Sequence, residues 1–234
     1  MSWINTILTS SIGRKLVMSV TGLFLITFLI VHCVINSMIF FNDGGETFNR
    51  AAHFMGTNIL IRIMEIVLFA GFFVHIIQAY MLAAQNRKAR PIGYAVSNPA
   101  ANSKWYSRSM TLLGTLILLF LVIHISHFWA PSRLGGNLGI EQLNEVNVGD
   151  KEVLNLFEEM VIIFQSPFVL VVYLLGVISL CWHLVHGFQS AFQTLGVNHK
   201  KYTPVIKSLG IGFSIIVSIV FALMPISIFA GWIA

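Results

Sequence analysis

Cys181-Trp182-His183-Leu184-Val185-His186-Gly187 places two histidines one helical turn apart inside a long apolar run. An ionisable ring at membrane depth is costly and marks a functional site by default. His32, His75 and His124 also lie within apolar runs, each on a different one. Four runs therefore each carry an imidazole, and what they do depends on whether depth and topology pair them.

The runs themselves set the fold class. The chain of 234 residues is 56% hydrophobic and only 10% charged, with a mean hydropathy of +0.82, more apolar surface than a soluble domain can hide. Five apolar runs stand out, at 16–41, 59–84, 109–130, 161–194 and 205–233. Each exceeds the ~20 residues a helix needs to cross the hydrocarbon core. The short alternating segments of a membrane β-barrel are not visible. The expectation is an all-α integral membrane bundle of five transmembrane helices forming a single membrane domain over 1–234. Arg14 and Lys15 precede a first run of 26 residues, which is too long for a signal-peptide core and reads as a span. Cys33 and Cys181 fall inside spans and read as small buried thiols.

Charge placement orients the bundle. Ten of the fourteen Lys and Arg are Arg14, Lys15, Arg87, Lys88, Arg90, Lys104, Arg108, Lys200, Lys201 and Lys207. They lie before span one, between spans two and three, and between spans four and five, in segments without Asp or Glu. The other two connections carry Asp43, Glu46, Glu141, Glu145, Asp150, Glu152, Glu158 and Glu159. The positive-inside rule puts the N-terminus in the cytoplasm and the C-terminus outside; the expected location of this multi-pass protein is the bacterial inner (cytoplasmic) membrane. The basic face suits anionic membrane lipid; with no groove or module for it, nucleic acid is not an expected partner.

Along the chain, residues 1–13 read as an interfacial segment with Trp3 at headgroup level. His53 reads as interfacial and His199 as an exposed loop residue. Arg62 and Glu65, three apart on span two, can pair; Glu65 is also the candidate for proton handling at a substrate in the bilayer. The loop 85–108, with Pro91, Gly93 and Pro99, reads as a surface connection, and Pro131 as the stop of span three. Residues 131–150 are glycine-rich and polar, and 151–162 read as an amphipathic surface helix. Span four begins near Pro167 and stops at Gly196. Span five, with Gly210, Gly212 and Pro225, carries no histidine and reads as a packing element.

Depth then pairs the histidines. Lys15 to His32 is 17 residues and Arg108 to His124 is 16. At ~1.5 Å per residue both rings stand ~24–26 Å above the basic edge. His75 to Arg87 is 12 residues and His186 to Gly196 is 10, which places both ~15–18 Å above it. Spans one and three thus supply an outer pair, and spans two and four an inner pair. Matched pairs on four helices are what two bis-histidine haems require, with both axial positions filled and electron transfer favoured over oxygen chemistry. Gly22, Gly114 and Gly176, each ten residues before a proposed ligand, would leave a porphyrin room at the level of the other pair. A single buried histidine reads better as a packing or proton-path residue; four at matched depths do not. His127 and His183 each lie three residues from a proposed ligand and are the second choices. A zinc site lacks the carboxylate or thiolate that would complete a compact tetrahedral cluster.

Ser11-Ile12-Gly13-Arg14-Lys15, Thr21-Gly22-Leu23, His32, His75, His124 and His186-Gly187, in a five-span frame, resemble the di-haem cytochrome b anchor of succinate dehydrogenases and fumarate reductases. The resemblance covers nearly the whole chain and rests on the combination rather than on one motif. It implies two haem b groups, the outer held by His32 and His124 and the inner by His75 and His186. It implies a flavoprotein and an iron–sulfur subunit docked on the basic inner face. Electrons would run through the inner and outer haems to quinone, usually menaquinone, with Glu65 and the outer loops as candidates for the quinone end. Some fumarate-reducing relatives carry a glutamate two residues before the fourth-span ligand. Leu184 stands there, which inclines the chain toward succinate oxidation with quinone reduction. The other readings are a di-haem cytochrome b serving formate, hydrogen or nitrate chemistry, and a haem-free proton-handling or structural membrane protein.

Overall fold

A computed structural model describes residues 10–89 and 98–233. Trp3, Arg90, Pro91 and Gly93 lie outside the described residues. Among the described residues the regular structure is helical apart from one short hairpin, and five helices are long and apolar enough to cross a membrane. These are α1 (Ser11–Asn36, continued as a tighter turn Ser37–Phe41), α3 (Ile59–Lys88), α6 (Met110–His124), α9 (Pro167–Thr194) and α10 (Thr203–Phe229). Shorter helices are α2 (Glu46–Thr57), α4 (Pro99–Asn102), α5 (Trp105–Arg108), α7 (Ala130–Leu134) and α8 (Leu156–Phe164); β1 (Glu145–Val148) and β2 (Lys151–Leu154) pair antiparallel.

Helix starts follow local chemistry. Ser10 Oγ accepts from the Gly13 N–H at 3.0 Å, a cap that starts α1 at Ser11 rather than at 16. Asn58 Oδ1 accepts from the N–H groups of Leu60 and Ile61 and caps α3 in the same way. Pro167 has no N–H to continue a preceding helix, so span four starts there instead of at 161, with α8 ending at Phe164.

Two other expectations are corrected. The segment 151–162 is not one helix. Residues 151–154 form β2, and Gly149 (φ +61) in the two-residue turn supplies the backbone sign that a tight hairpin demands. Val146, Val148 and Val153 give this stretch a strand pattern, and Asn155 caps the separate α8 by accepting from the Glu158 N–H. Pro131 does not stop span three either. Ile125–Trp129 is a π-helical turn, in which the Ala130 N–H reaches back five residues to the Ile125 carbonyl. That wider turn lets the helix accept Pro131 in the first turn of α7 and run on to Leu134.

The chain divides into two compact units. The first comprises Met1–Phe28, Val67–Thr115 and Leu180–Ile215; the second comprises Leu29–Ile66, Leu116–Ser179 and Ile216–Ala234. In the second unit Ile39, Phe48, Phe157, Met160, Phe164, Tyr173, Met224 and Ile228 form a continuous apolar core. The buried amide of Asn49 locks α2 to the start of α8. It donates to Asn155 Oδ1 at 2.9 Å and accepts from the Phe157 N–H at 3.0 Å. In the first unit α9 meets α10 where Phe188 lies against Gly210, close enough that a Cβ there would stand 2.7 Å from the ring. Ile63, Ile66, Phe73 and Ile77 of α3 face outward, as lipid-facing residues do.

Candidate functional site

Each unit brings together two histidines of different helices. In the second unit His32 of α1 and His124 of α6 have ring centroids 5.7 Å apart, nearly perpendicular. In the first unit His75 of α3 and His183 of α9 have centroids 6.3 Å apart at 68°. His186, expected opposite His75, instead lies beside Tyr106, 6.4 Å between centroids. Tyr106 in turn stacks on Trp182 at 5.3 Å, with Trp105 edge-on to Trp182 at 5.0 Å. Counting from helix ends carries an uncertainty of a turn, and three residues move a side chain by only ~4.5 Å along the axis.

Hydrogen bonding orients the first pair. Thr21 Oγ1 stands 3.1 Å from His75 Nδ1 and 2.8 Å from the Val17 carbonyl. With its single hydrogen on a carbonyl of its own helix, the Thr21 hydroxyl would accept from His75 Nδ1–H and leave Nε2 with a free lone pair. The partner ring, His183, has a buried Nδ1 with no hydrogen bond. Small residues surround the pair: a Cβ on Gly22 would sit 3.4 Å from His75 Cε1, and one on Gly114 3.8 Å from His183 Cε1.

The second pair sits among aromatic rings. His124 stacks on Phe120 at 5.6 Å and packs against Phe128 at 5.4 Å and Tyr173 at 6.0 Å, while Phe221 of α10 packs on His32 at 5.7 Å. Span five therefore contributes directly to this pair. Asn36 Nδ2 lies 3.3 Å from His32 Nδ1, and His124 Nδ1 is buried without a partner. Gly176 is where Phe120 fits, since a Cβ there would meet the ring at 2.5 Å. His127 stays out of the pair. The π turn after His124 shifts the helical phase, and His127 Nδ1 bonds Tyr173 Oη at 3.0 Å with the two rings parallel.

Glu65 is tied into a network. Its oxygens accept from Trp129 Nε1 at 2.9 Å, Arg62 at 3.2 Å and Arg133 at 3.3 Å. Arg133 sits in the room left by Gly56, beside a pocket lined also by His53, Thr57 and Ser132. The Arg62 pairing was legible from spacing; the Trp129 and Arg133 contacts arise from the π turn and its extension. Thr21 and Tyr173, which touch the histidines, were not singled out as their partners. A hydroxyl one helix away from an imidazole leaves no periodic trace.

Outside the spans, the Glu159 carboxyl is pushed up by partial burial and by Glu141 and Glu158 nearby. Asp43 is held below the usual carboxylate range by the Thr47 hydroxyl, which donates to it.

Among the described residues, no group of three or more His, Cys, Asp or Glu is placed to hold a metal ion. Each histidine pair offers two donors, the number taken by an iron that already carries four porphyrin nitrogens. The buried Nδ1 atoms of His124 and His183 make no hydrogen bond, so neither ring is committed to a protein partner through that nitrogen.

No protein-family model and no solved structure matches the chain. Among curated proteins it is similar to the succinate dehydrogenase cytochrome b558 subunit of Bacillus subtilis (strain 168). The two are 28% identical over 172 residues, covering 73% of this chain and 72% of the relative. With its five membrane-crossing helices, the chain is a membrane protein homologous to a succinate dehydrogenase cytochrome b subunit.

Proposed function

We propose that this chain is the haem-b membrane anchor of a succinate:menaquinone oxidoreductase, with two bis-histidine haems. The observation that carries the reading is the spacing of the two imidazole pairs, 5.7 and 6.3 Å between centroids, on four different helices. With metal–nitrogen bonds of about 2.0–2.1 Å, two imidazoles this close could both reach one metal ion. His32 and His124 would hold one haem b; His75 and His183 would hold the other, with His183 taking the fourth-span role first assigned to His186. Haem held in this way would supply one-electron transfer.

The chain's own residues have definite parts in this. Thr21 holds the His75 ring with Nε2 presented. Phe120, Phe128, Tyr173 and Phe221 exclude water from the second pair and fix the His124 ring plane. The Lys and Arg described in the first unit would offer a basic, cytoplasmic surface to an iron–sulfur subunit and its flavoprotein. Quinone belongs with the second unit, where Glu65, Trp129 and Arg133 join polar groups near an apolar span.

The test is a dithionite-reduced minus oxidised visible spectrum of the purified membrane complex, with haem counted per chain. Two low-spin b-type haems are the expected result. A properly assembled preparation without haem would overturn the reading. Replacing Glu65 with Gln should slow quinone turnover; unchanged turnover removes it from the quinone site.

A further inference from the structure

Only one residue of α3 is buried, and it is a glutamine. Gln78 is 8% exposed, and its Oε1 is enclosed without a hydrogen-bond partner. Within a span there is no bulk water to satisfy an amide, so a buried one is retained where something else bonds it. Hydroxyls elsewhere in this unit have partners of their own: Tyr80 and Thr115 bond each other at 2.8 Å, and Thr21 bonds its own helix and lies against His75. Gln78 follows His75 by three residues, which puts both on one face of α3, and the His75 ring faces His183.

We infer that Gln78 is a cofactor-binding residue of the first unit, its buried amide placed one turn from His75 to hydrogen bond a carboxylate of a porphyrin held between His75 and His183. The inference rests on the haem reading above. Haem b carries two carboxylates on one edge, and a carboxylate inside a span needs a donor. The oxygen and nitrogen of a glutamine amide exchange places by a half-turn, so the position that now lacks a partner is one from which Nε2–H donates. The amide is neutral and planar, and it can bond the carboxylate without adding a second charge to the span. Among the described residues of this unit, the other buried side-chain polar atom without a partner is His183 Nδ1, which belongs to the same site.

The test uses the purified, assembled complex and its apomyoglobin-driven haem loss, comparing wild type with Gln78→Met, which keeps side-chain length and removes both polar atoms. A His124→Ala background, holding the first-unit haem alone, isolates the signal. Loss of one hydrogen bond to a charged group should speed haem capture there about tenfold, leaving the His32/His124 haem of the single variant unchanged. Unchanged capture overturns the assignment while the haem reading stands. A wild-type complex without haem overturns both. A structural role has its own signature: Gln78→Met would lower the melting temperature as much in a His75→Ala background, where no haem binds in the first unit, and that result also overturns the proposal.

Discussion

The two units treat their histidine pairs in opposite ways. All nine Asp and Glu lie in the second unit, whereas the first has ten Lys and Arg and no acid. The second unit surrounds His32 and His124 with aromatic rings backed by a continuous apolar core and closed by the Asn49–Asn155 lock. The first unit holds His75 through the Thr21 hydroxyl and the Met18 backbone and leaves small residues, Gly22 and Gly114, beside the rings. One pair is fixed by packing from many sides. The other depends on a few polar contacts, so damage should spread differently in the two.

The largest effect should come from the ligands themselves. His75→Ala or His183→Ala should remove one haem and spare the other, and His32→Ala or His124→Ala should do the reverse, as counted by redox spectra. His186→Ala should keep both. A variant that loses both haems at once would break the distinction between the units.

Next is Asn49→Ala. It deletes two buried hydrogen bonds and strands the Phe157 N–H, which should cost roughly 2–4 kcal/mol. Heated in detergent, the variant should release the His32/His124 haem at a lower temperature than wild type while the other haem persists. Simultaneous loss would mean the lock serves both units.

The glycines sharpen the contrast further. Gly176→Ala drives a methyl into Phe120 at 2.5 Å and should shift the stack on His124, at a cost of about 1–3 kcal/mol. Gly114→Ala meets His183 at 3.8 Å, ordinary contact, and should be tolerated. Thermal unfolding of the pair of variants decides it: equal losses would show that the first pair is packed as tightly as the second.

The smallest effect concerns the acidic surface of the second unit. Glu159 is pushed up in the folded chain, so its ionisation disfavours folding once pH rises through the window from the ordinary carboxylate value to the raised one. Glu159→Gln should melt slightly above wild type at pH 7, and the difference should vanish at pH values where the carboxyl is protonated in both states. A constant gap across that range would assign the effect to something other than ionisation.

Span number and the pairing of His32 with His124 were legible because hydropathy and residue counting act over whole helices. Which of His183 and His186 faces His75 was not. Both lie on nearby faces of α9, and only the position of α3 and of Tyr106 separates them. The hairpin at 145–154 hid inside a stretch whose charges suggested a surface helix, although its alternating valines and Gly149 carried the strand signal. Gln78 was overlooked because one amide in an apolar run has no period; its burial shows only once the helix is packed.

The π turn at Ile125–Trp129 amounts to one extra residue in an otherwise regular rod. A codon deletion within it should therefore behave unlike deletions elsewhere in the span. His124 and everything before it would keep their register, while Trp129 and Arg133 would swing by about a quarter turn or more and leave Glu65 without two of its donors. Lineages that gain or lose this residue should therefore trade whatever chemistry Glu65 supports while leaving the facing imidazoles undisturbed.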